Sequence, residues 1–524
     1  MNSEHETLTP RSAWIIYSVL LFSTFVTIEA MTFQAPALPS IVRHYGASMN
    51  AAALIILIFY IGSTTFSPIM GRLADNVGRK KVVMMGLVIF CIAEFAAALS
   101  PTFSALLMAR LVQGIGVACI LPVILAYISY LFPEHRRGLA LGIFTAAMSL
   151  GATTGALAGG LLVDAFSWQI IYWLSGALGA VGLVLIWFFV PHTPVAATKR
   201  GYDAAGSCLL FLALSGLLSI PTAISKLGFS SPYTCAALAI GILAALLLWK
   251  VEQRVADPII DVALLRQADF ILPAGLYLLS VMCLSGLTYS LAFFISERPG
   301  GSASQVGFIN MCVYGCSMLC SPFAGHLADR YDLRKIVVSA MVVILVFMLM
   351  IGTIELSTPL WIVAALVMAV GLANGMKTPA LMKLLISAIP KTRMASGSGL
   401  FTLMKDVGSP LGATFGLSVF GSAATLFSQR SISEQARQAG ADLTLLTQLD
   451  QHTGDSPTPA LTHQLQQLGL DATQLFSAAK HAGMASAIPW ITCSLAAVLI
   501  VMLLLSLRLQ RRPKIIELKN AQLI

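Results

Sequence analysis

Apolar runs of about twenty residues recur from one end of this chain to the other, each long enough to cross ~30 Å of hydrocarbon as a helix. Of its 524 residues, 57% are hydrophobic and 10% charged, against roughly 25% charged in a soluble domain. So little polar surface cannot cover a core of that size, and the chain reads as an all-α, multi-pass membrane protein. Spans are expected near 13–36, 51–70, 82–100, 103–131, 138–163, 168–190, 204–224, 232–250, 270–295, 304–324, 336–354, 358–387, 395–422 and 485–508. The first run is too long for the core of a signal peptide and has no cleavage site, so it reads as a retained helix.

Net charge is +9, which in a soluble chain would suggest nucleic acid. Here the lysines and arginines crowd the tails and alternate loops that share a side with the N-terminus, the bias that orients helices with positive loops inside. Both termini are therefore expected in the cytoplasm, the chain in the cytoplasmic (inner) membrane, and no nucleic acid as partner.

Within 133–160 the glycines Gly142, Gly151, Gly155, Gly159 and Gly160 interrupt an apolar helix, mostly four apart, making a flat stripe that a second backbone can approach. Gly399, Gly408, Gly412 and Gly416 repeat the first four at a constant offset of 257, shared by Pro133/Pro390 and Arg136/Arg393. The chain thus contains two related halves. A second repeat joins GRLADNVGRKK at 71–81 to GHLADRYDLRK at 325–335, offset by 254. Positive-inside bias alone accounts for Arg79, Lys80 and Lys81. Gly71, Asp75 and Gly78, with Gly325 and Asp329 recurring, suggest a tight glycine turn holding an aspartate against helix ends or Arg136: a latch that one conformation makes and another breaks.

Nine cysteines lie in or beside spans and imply no disulfide framework. Cys312, Cys316 and Cys320 stack at helical spacing, which reads as small side chains at a helix interface and not as a metal site. There is no paired-histidine metal motif, no nucleophile–base arrangement and no phosphate-binding loop, so an enzyme and an ATP-driven pump are both disfavoured. No cofactor is expected.

GRLADNVGRKK resembles the loop signature of the major facilitator superfamily at its Gly, Leu, Asp, Gly and basic positions. RLVQGIGVA at 110–118 resembles that family's fourth-helix motif, with Arg110, Gln113 and Gly114 matching. The 142–160 glycines match the fifth-helix motif of its antiporter branch, except that Ala156 stands where proline is usual. The resemblance implies two six-helix halves, and the excess length between repeats matches two inserted helices, as in the fourteen-helix drug:proton antiporters. The halves are expected at 1–200 and 256–524, with the inserted pair at 201–255. Proton-coupled oligopeptide transporters also carry two extra helices, but their first-helix acidic-plus-arginine signature is absent from 13–36.

Under that resemblance spans 1, 4, 9 and 12 line a central cavity, and spans 2, 5, 10 and 13 slide between halves. An ionisable group at mid-membrane costs at least ~2.5–3.5 kcal/mol and is functional by default. Glu29 on the first span is the leading proton carrier, because a carboxyl in a dry cavity can load and release a proton as access changes. Arg110 would stabilise its charged form in one state. The family's usual acidic position, nine before the Leu-Pro proline, is Ala30 here. Asp406 beside Lys405 reads as a second protonation site or as an internal ion pair. Lys377 reads as an anion-binding group or as the partner of Asp406, and Lys383 as a snorkelling lysine. Glu94, on a supporting helix, reads as a structural pair or as exposed near the lipid interface. Substrate-binding candidates are Glu29, Gln34, Gln113, Lys377 and Lys405.

The long outer loop, 423–484, reads as two short amphipathic helices around a turn: a solvated lid, or a dock for a periplasmic partner. Trp14, Trp168, Trp361 and Trp490 read as interfacial anchors. The expected activity is proton-coupled efflux of small molecules by alternating access, from a monomer whose other partners are protons and lipid. Two alternatives stay open: export of an acidic or zwitterionic metabolite or siderophore, and proton-driven uptake.

Overall fold

The structure is a computed structural model that describes residues 10–192, 204–228, 231–255, 262–388, 394–451 and 458–509. In chain order the helices are α1 (Pro10–Thr32), α2 (Gln34–Tyr45), α3 (Met49–Val77), α4 (Arg79–Ala98), α5 (Phe103–Leu131), α6 (Glu134–Ala165), α7 (Gln169–Phe189), α8 (Ala204–Leu227) and α9 (Pro232–Glu252). After them come α10 (Val262–Leu265), α11 (Ala268–Ser296), α12 (Ala303–Arg330), α13 (Leu333–Ile351), α14 (Leu360–Ser387), α15 (Met394–Gln438), α16 (Leu443–Gln451), α17 (Pro459–Gln467) and α18 (Ala472–Ser506). Fourteen of these are long and apolar enough to cross a membrane, and each overlaps one of the fourteen spans read from the sequence.

Polar residues at the boundaries start several helices. Ser48, Thr102 and Ser302 each accept the N–H three residues on, and Asp332 and Asp471 accept from the first turns of α13 and α18. Each satisfies a donor that the helix itself leaves open.

The duplication read from glycine spacing is a duplication of contacts. In the first half Gly151, Gly155 and Gly159 of α6 press on the backbones of Phe25, Glu29 and Phe33 in the first span. In the second, Gly408, Gly412 and Gly416 of α15 press on Leu278, Met282 and Gly286 of α11. Likewise Gly114 of α5 meets the Phe59 carbonyl of α3, and Gly371 of α14 meets the Val313 carbonyl of α12. Helix prolines repeat too, with Pro68 and Pro322 in α3 and α12 and Pro122 and Pro379 in α5 and α14. Glu29 has Met282 at its equivalent position, so the scaffold is duplicated while the charge is not.

The halves meet along two seams, α6 on α12 and α3 on α15. Inserted helix α8 lies over the second seam, its Leu210, Leu214 and Leu218 clustering with Leu57 and Ile61 of α3 and with Val407 and Leu411 of α15. Gly216 and Gly241 bring α8 and α9 into backbone contact.

Four readings change. The first span is two helices, because Pro36 has no N–H for the Thr32 carbonyl and its ring crowds that carbonyl; the break falls at Phe33. The supposed loop 71–81 is helical through Val77, and Gly78 alone, at φ 100°, makes the turn. Gly71 is therefore a helix residue with open space where its Cβ would be. The outer segment is more ordered than a lid: α15 and α18 extend into it, and Ile432, Leu449, Leu465 and Phe476 form a separate apolar cluster with α16 and α17. The last span accordingly starts at Ala472, not near 485. Among the tryptophans, Trp361 and Trp490 are exposed, but Trp168 is buried against His44, Tyr45 and Tyr172.

Candidate functional site

Glu29 lies one turn before the break in the first span and is only 7% exposed. The Thr32 hydroxyl donates to the Glu29 carbonyl at 3.0 Å, and that carbonyl also accepts from Phe33 N–H at 3.0 Å. Among the described residues no hydrogen bond or ion pair reaches the Glu29 carboxyl. Gln34, the first residue past the break, is buried and accepts from the Tyr172 hydroxyl at 3.2 Å.

Arg110 and Gln113 are three apart on α5, so they share one face. The Arg110 guanidinium donates to Gln113 Oε1, and Gln113 Nε2 donates to Glu94 Oε1 on α4. Arg110 also donates through Nε to the Ile55 carbonyl at 3.4 Å and sits 4.5 Å from the centroid of the Phe59 ring. All three polar side chains are 1% exposed. A buried cation is costly unless it is paired and hydrogen-bonded, and here the amide of Gln113 spans the gap to a carboxylate. Glu94 thus takes the place expected of Glu29, and its Oε2 has no partner among the described residues. Its pairing fits one of the two readings made from sequence; exposure toward lipid does not occur.

The second half contributes different chemistry. Lys377 of α14 is 2% exposed, lies near Cys283 of α11, and has no carboxylate partner among the described residues. The alternative that it pairs with Asp406 is not realised: Asp406 has Lys405 at 3.9 Å. Between the halves stand tyrosines that sequence reasoning passed over. Tyr60 of α3 faces Ser409 and Asp406 of α15, with Tyr314 of α12 and Arg110 also near. Tyr289 of α11 lies close to Tyr60, Tyr314 and Arg110. Helices α3, α5, α11, α12 and α15 therefore converge on one polar, aromatic centre inside the apolar bundle, the kind of site that fixes a small molecule by a few placed polar groups.

Around the Gly78 turn, Asp75 and Arg79 pair at 3.6 Å one helical turn apart. Arg79 donates to the Ala126 carbonyl of α5 at 3.1 Å, and Lys80 to the Trp187 carbonyl of α7 at 2.9 Å. Cations there meet the negative ends of two helices, which is more than positive-inside bias requires. Arg136 is exposed at the start of α6. Asp329 lies on the last turn of α12, and its side chain is outside the described set, as are Pro390 and Arg393. Gly142 has open space where its Cβ would be.

Residues 20–413 match the family described as Major Facilitator Superfamily. The chain is 27% identical over 411 residues to the multidrug resistance protein Stp of Mycobacterium tuberculosis, covering 78% of this chain and 75% of that one. It is 29% identical to the methylenomycin A resistance protein of Streptomyces coelicolor, over 65% and 72% of the two chains. With the riboflavin transporter RibZ of Clostridioides difficile it shares 22% identity over 79% and 90%. Among solved structures, a bacterial homolog of the human lysosomal transporter Spinster superposes with a TM-score of 0.65 at 14% identity, covering 95% and 97%.

Proposed function

This chain belongs to the Major Facilitator Superfamily, and we propose that it is a proton-coupled exporter of small molecules working by alternating access. It is a multi-pass membrane transporter, not an enzyme; the proton, the direction and the cargo are the proposal. The carrying observation is Glu29, an acid buried beside a helix break with no partner among the described residues. Such a group is stable in the membrane interior as the neutral acid and can give up its proton when water or a cation arrives. A discontinuous helix at the midplane is where transporters of this kind bind their coupling ions and cargo.

In this reading residues 1–200 and 256–524 rock about the centre, 201–255 carries the inserted pair, and the Gly78 end with both termini faces the cytoplasm. Glu29 carries the proton, Arg110 and Asp406 bias its loading, and Gln34, Gln113, Lys377 and Lys405 hold cargo. Asp75, Arg79, Gly78, Gly71, Asp329 and Arg136 form the cytoplasmic latch, and the unit is a monomer in the inner membrane. The resistance proteins among the relatives support toxic compounds as cargo.

Lys377 favours a second reading, an acidic or zwitterionic cargo, since a buried cation with no counter-ion among the described residues is ready for an anion. The riboflavin transporter among the relatives keeps a metabolite in view. The test is transport in everted membrane vesicles with internal pH followed while a lipophilic dication, a lipophilic anion and a zwitterion are added in turn. Proton release with one of them supports antiport and reports the cargo's charge. Silence with all three, and accumulation in intact cells down a proton gradient, overturns export in favour of uptake.

A further inference from the structure

Helices α6 and α12 come from different halves, and at one end a side chain of the first binds the backbone of the second. Asp164, next to last in α6, accepts the backbone N–H of Ala303 at 2.9 Å and of Ser304 at 2.7 Å. These are the first two residues of α12, whose N–H groups have no partner within their own helix. The Ser302 and Ser304 hydroxyls lie beside the carboxylate and bond each other at 2.8 Å, while Ser302 accepts from Gln305 N–H at 3.3 Å. The positive end of α12 is thus capped jointly by its own serine and by a carboxylate of the opposite half.

The backbones beneath this cap touch. A Cβ on Gly160 would strike the Ala303 carbonyl, and one on Gly307 would strike the Ala156 carbonyl. At the far end of the same two helices, Gly142 and Gly325 would have nothing within 4 Å of an added Cβ. Asp164 has a short side chain with two rotatable bonds, so it cannot follow α12 when the helices part, and both N–H bonds break together.

We propose that Asp164 is the pin of the gate at this end: its carboxylate on the α12 N-terminus holds the two halves shut, and its release is part of every opening. The inference concerns the equilibrium between two shapes and is independent of cargo, direction and proton coupling.

The test uses the full-length protein in lipid nanodiscs, with its nine cysteines replaced and spin labels at exposed Leu99 and Trp361, which lie at the Asp164 end of opposite halves. Pulsed electron–electron resonance reads the distance distribution. Asp164→Ala should raise the ratio of long to short distances by about fivefold or more, the factor two lost hydrogen bonds imply, and Asp164→Glu should restore most of the short population. Ala303→Pro approaches the same pin from the other half. It removes one donor at the first helical position, where proline is tolerated, and the preceding Ser302 is already extended at φ −143°, ψ 162°. It should shift the distribution in the same direction. A wild-type distribution in Asp164→Ala, or in Ala303→Pro if Asp164→Ala does not fold, overturns the pin, as does a shift toward shorter distances.

Discussion

Gly155 lies flat against Glu29: a Cβ on Gly155 would stand 3.1 Å from the Glu29 Cα and 3.0 Å from its carbonyl oxygen. The glycine therefore sets how closely α6 approaches the first span, and with it the depth of the Glu29 carboxyl. Gly155→Val should wedge α1 away at a cost of ~1–3 kcal/mol. Initial transport rates per inserted protein should fall more than ~10-fold, since a displacement of ~1 Å at a reacting group is enough for a loss of that order. A normal rate would reduce the stripe to composition.

Glu29→Gln keeps the size of the side chain and removes its exchangeable proton. Gradient-driven accumulation in everted vesicles should disappear, while exchange of labelled for unlabelled cargo at equal pH continues. Full gradient-driven activity in this variant would take Glu29 out of the coupling.

Glu94 compensates Arg110 through Gln113, so Glu94→Leu strands a buried cation. The expected loss is ~3–5 kcal/mol of stability, read as a lower Tm in detergent. Glu94→Leu combined with Arg110→Leu should be less destabilised than the two single losses added together, a coupling that a double-mutant cycle measures directly. Strict additivity would mean that the three side chains do not act as a unit.

Asp75 and Arg79 form a partly exposed pair, worth little to folding by itself. Asp75→Asn should leave Tm nearly unchanged and lower the turnover rate more than cargo affinity, measured by binding and transport on the same preparation. Weakened binding with unchanged turnover per bound molecule would refute a latch.

Lys377→Met removes a buried positive charge without shortening the side chain much. If the cargo carries an anionic group, transport of the lipophilic anion probe should fall and that of the lipophilic dication should hold or rise. Equal loss for both probes would assign Lys377 to packing.

The fold was legible because hydropathy and repeat spacing are local properties of the chain. Fourteen apolar runs and a constant offset of 257 are visible without knowing any contact, and the same glycines turn out to carry the same contacts in both halves. Pairings across helices were much less legible. Gln113 was recognisable as polar and buried, but not as a bridge to Glu94, because nothing in spacing tells which face of α4 meets α5. Asp164 went unnoticed since an aspartate at a span end looks like an ordinary boundary residue until α12 is seen beside it. Tyr60, Tyr289 and Tyr314 are far apart in sequence and read singly as apolar filler. One signal was available and unused: Pro68/Pro322 and Pro122/Pro379 repeat at the same offsets as the glycine and loop motifs.

The seam covered by α8 is of another kind from the seam pinned by Asp164. Leu57, Ile61, Val407 and Leu411 meet Leu210, Leu214 and Leu218 through methyl groups alone in that cluster. Such a surface has no preferred register finer than the bumps of its side chains, and dispersion is regained after each small slip. If the halves rock as proposed, the inserted helix acts as a greased bearing along one flank of the transporter. It would keep lipid tails out of that joint while adding almost no toll to the stroke, whose timing would fall to polar contacts such as Asp164 on α12 and Tyr60 beside Ser409.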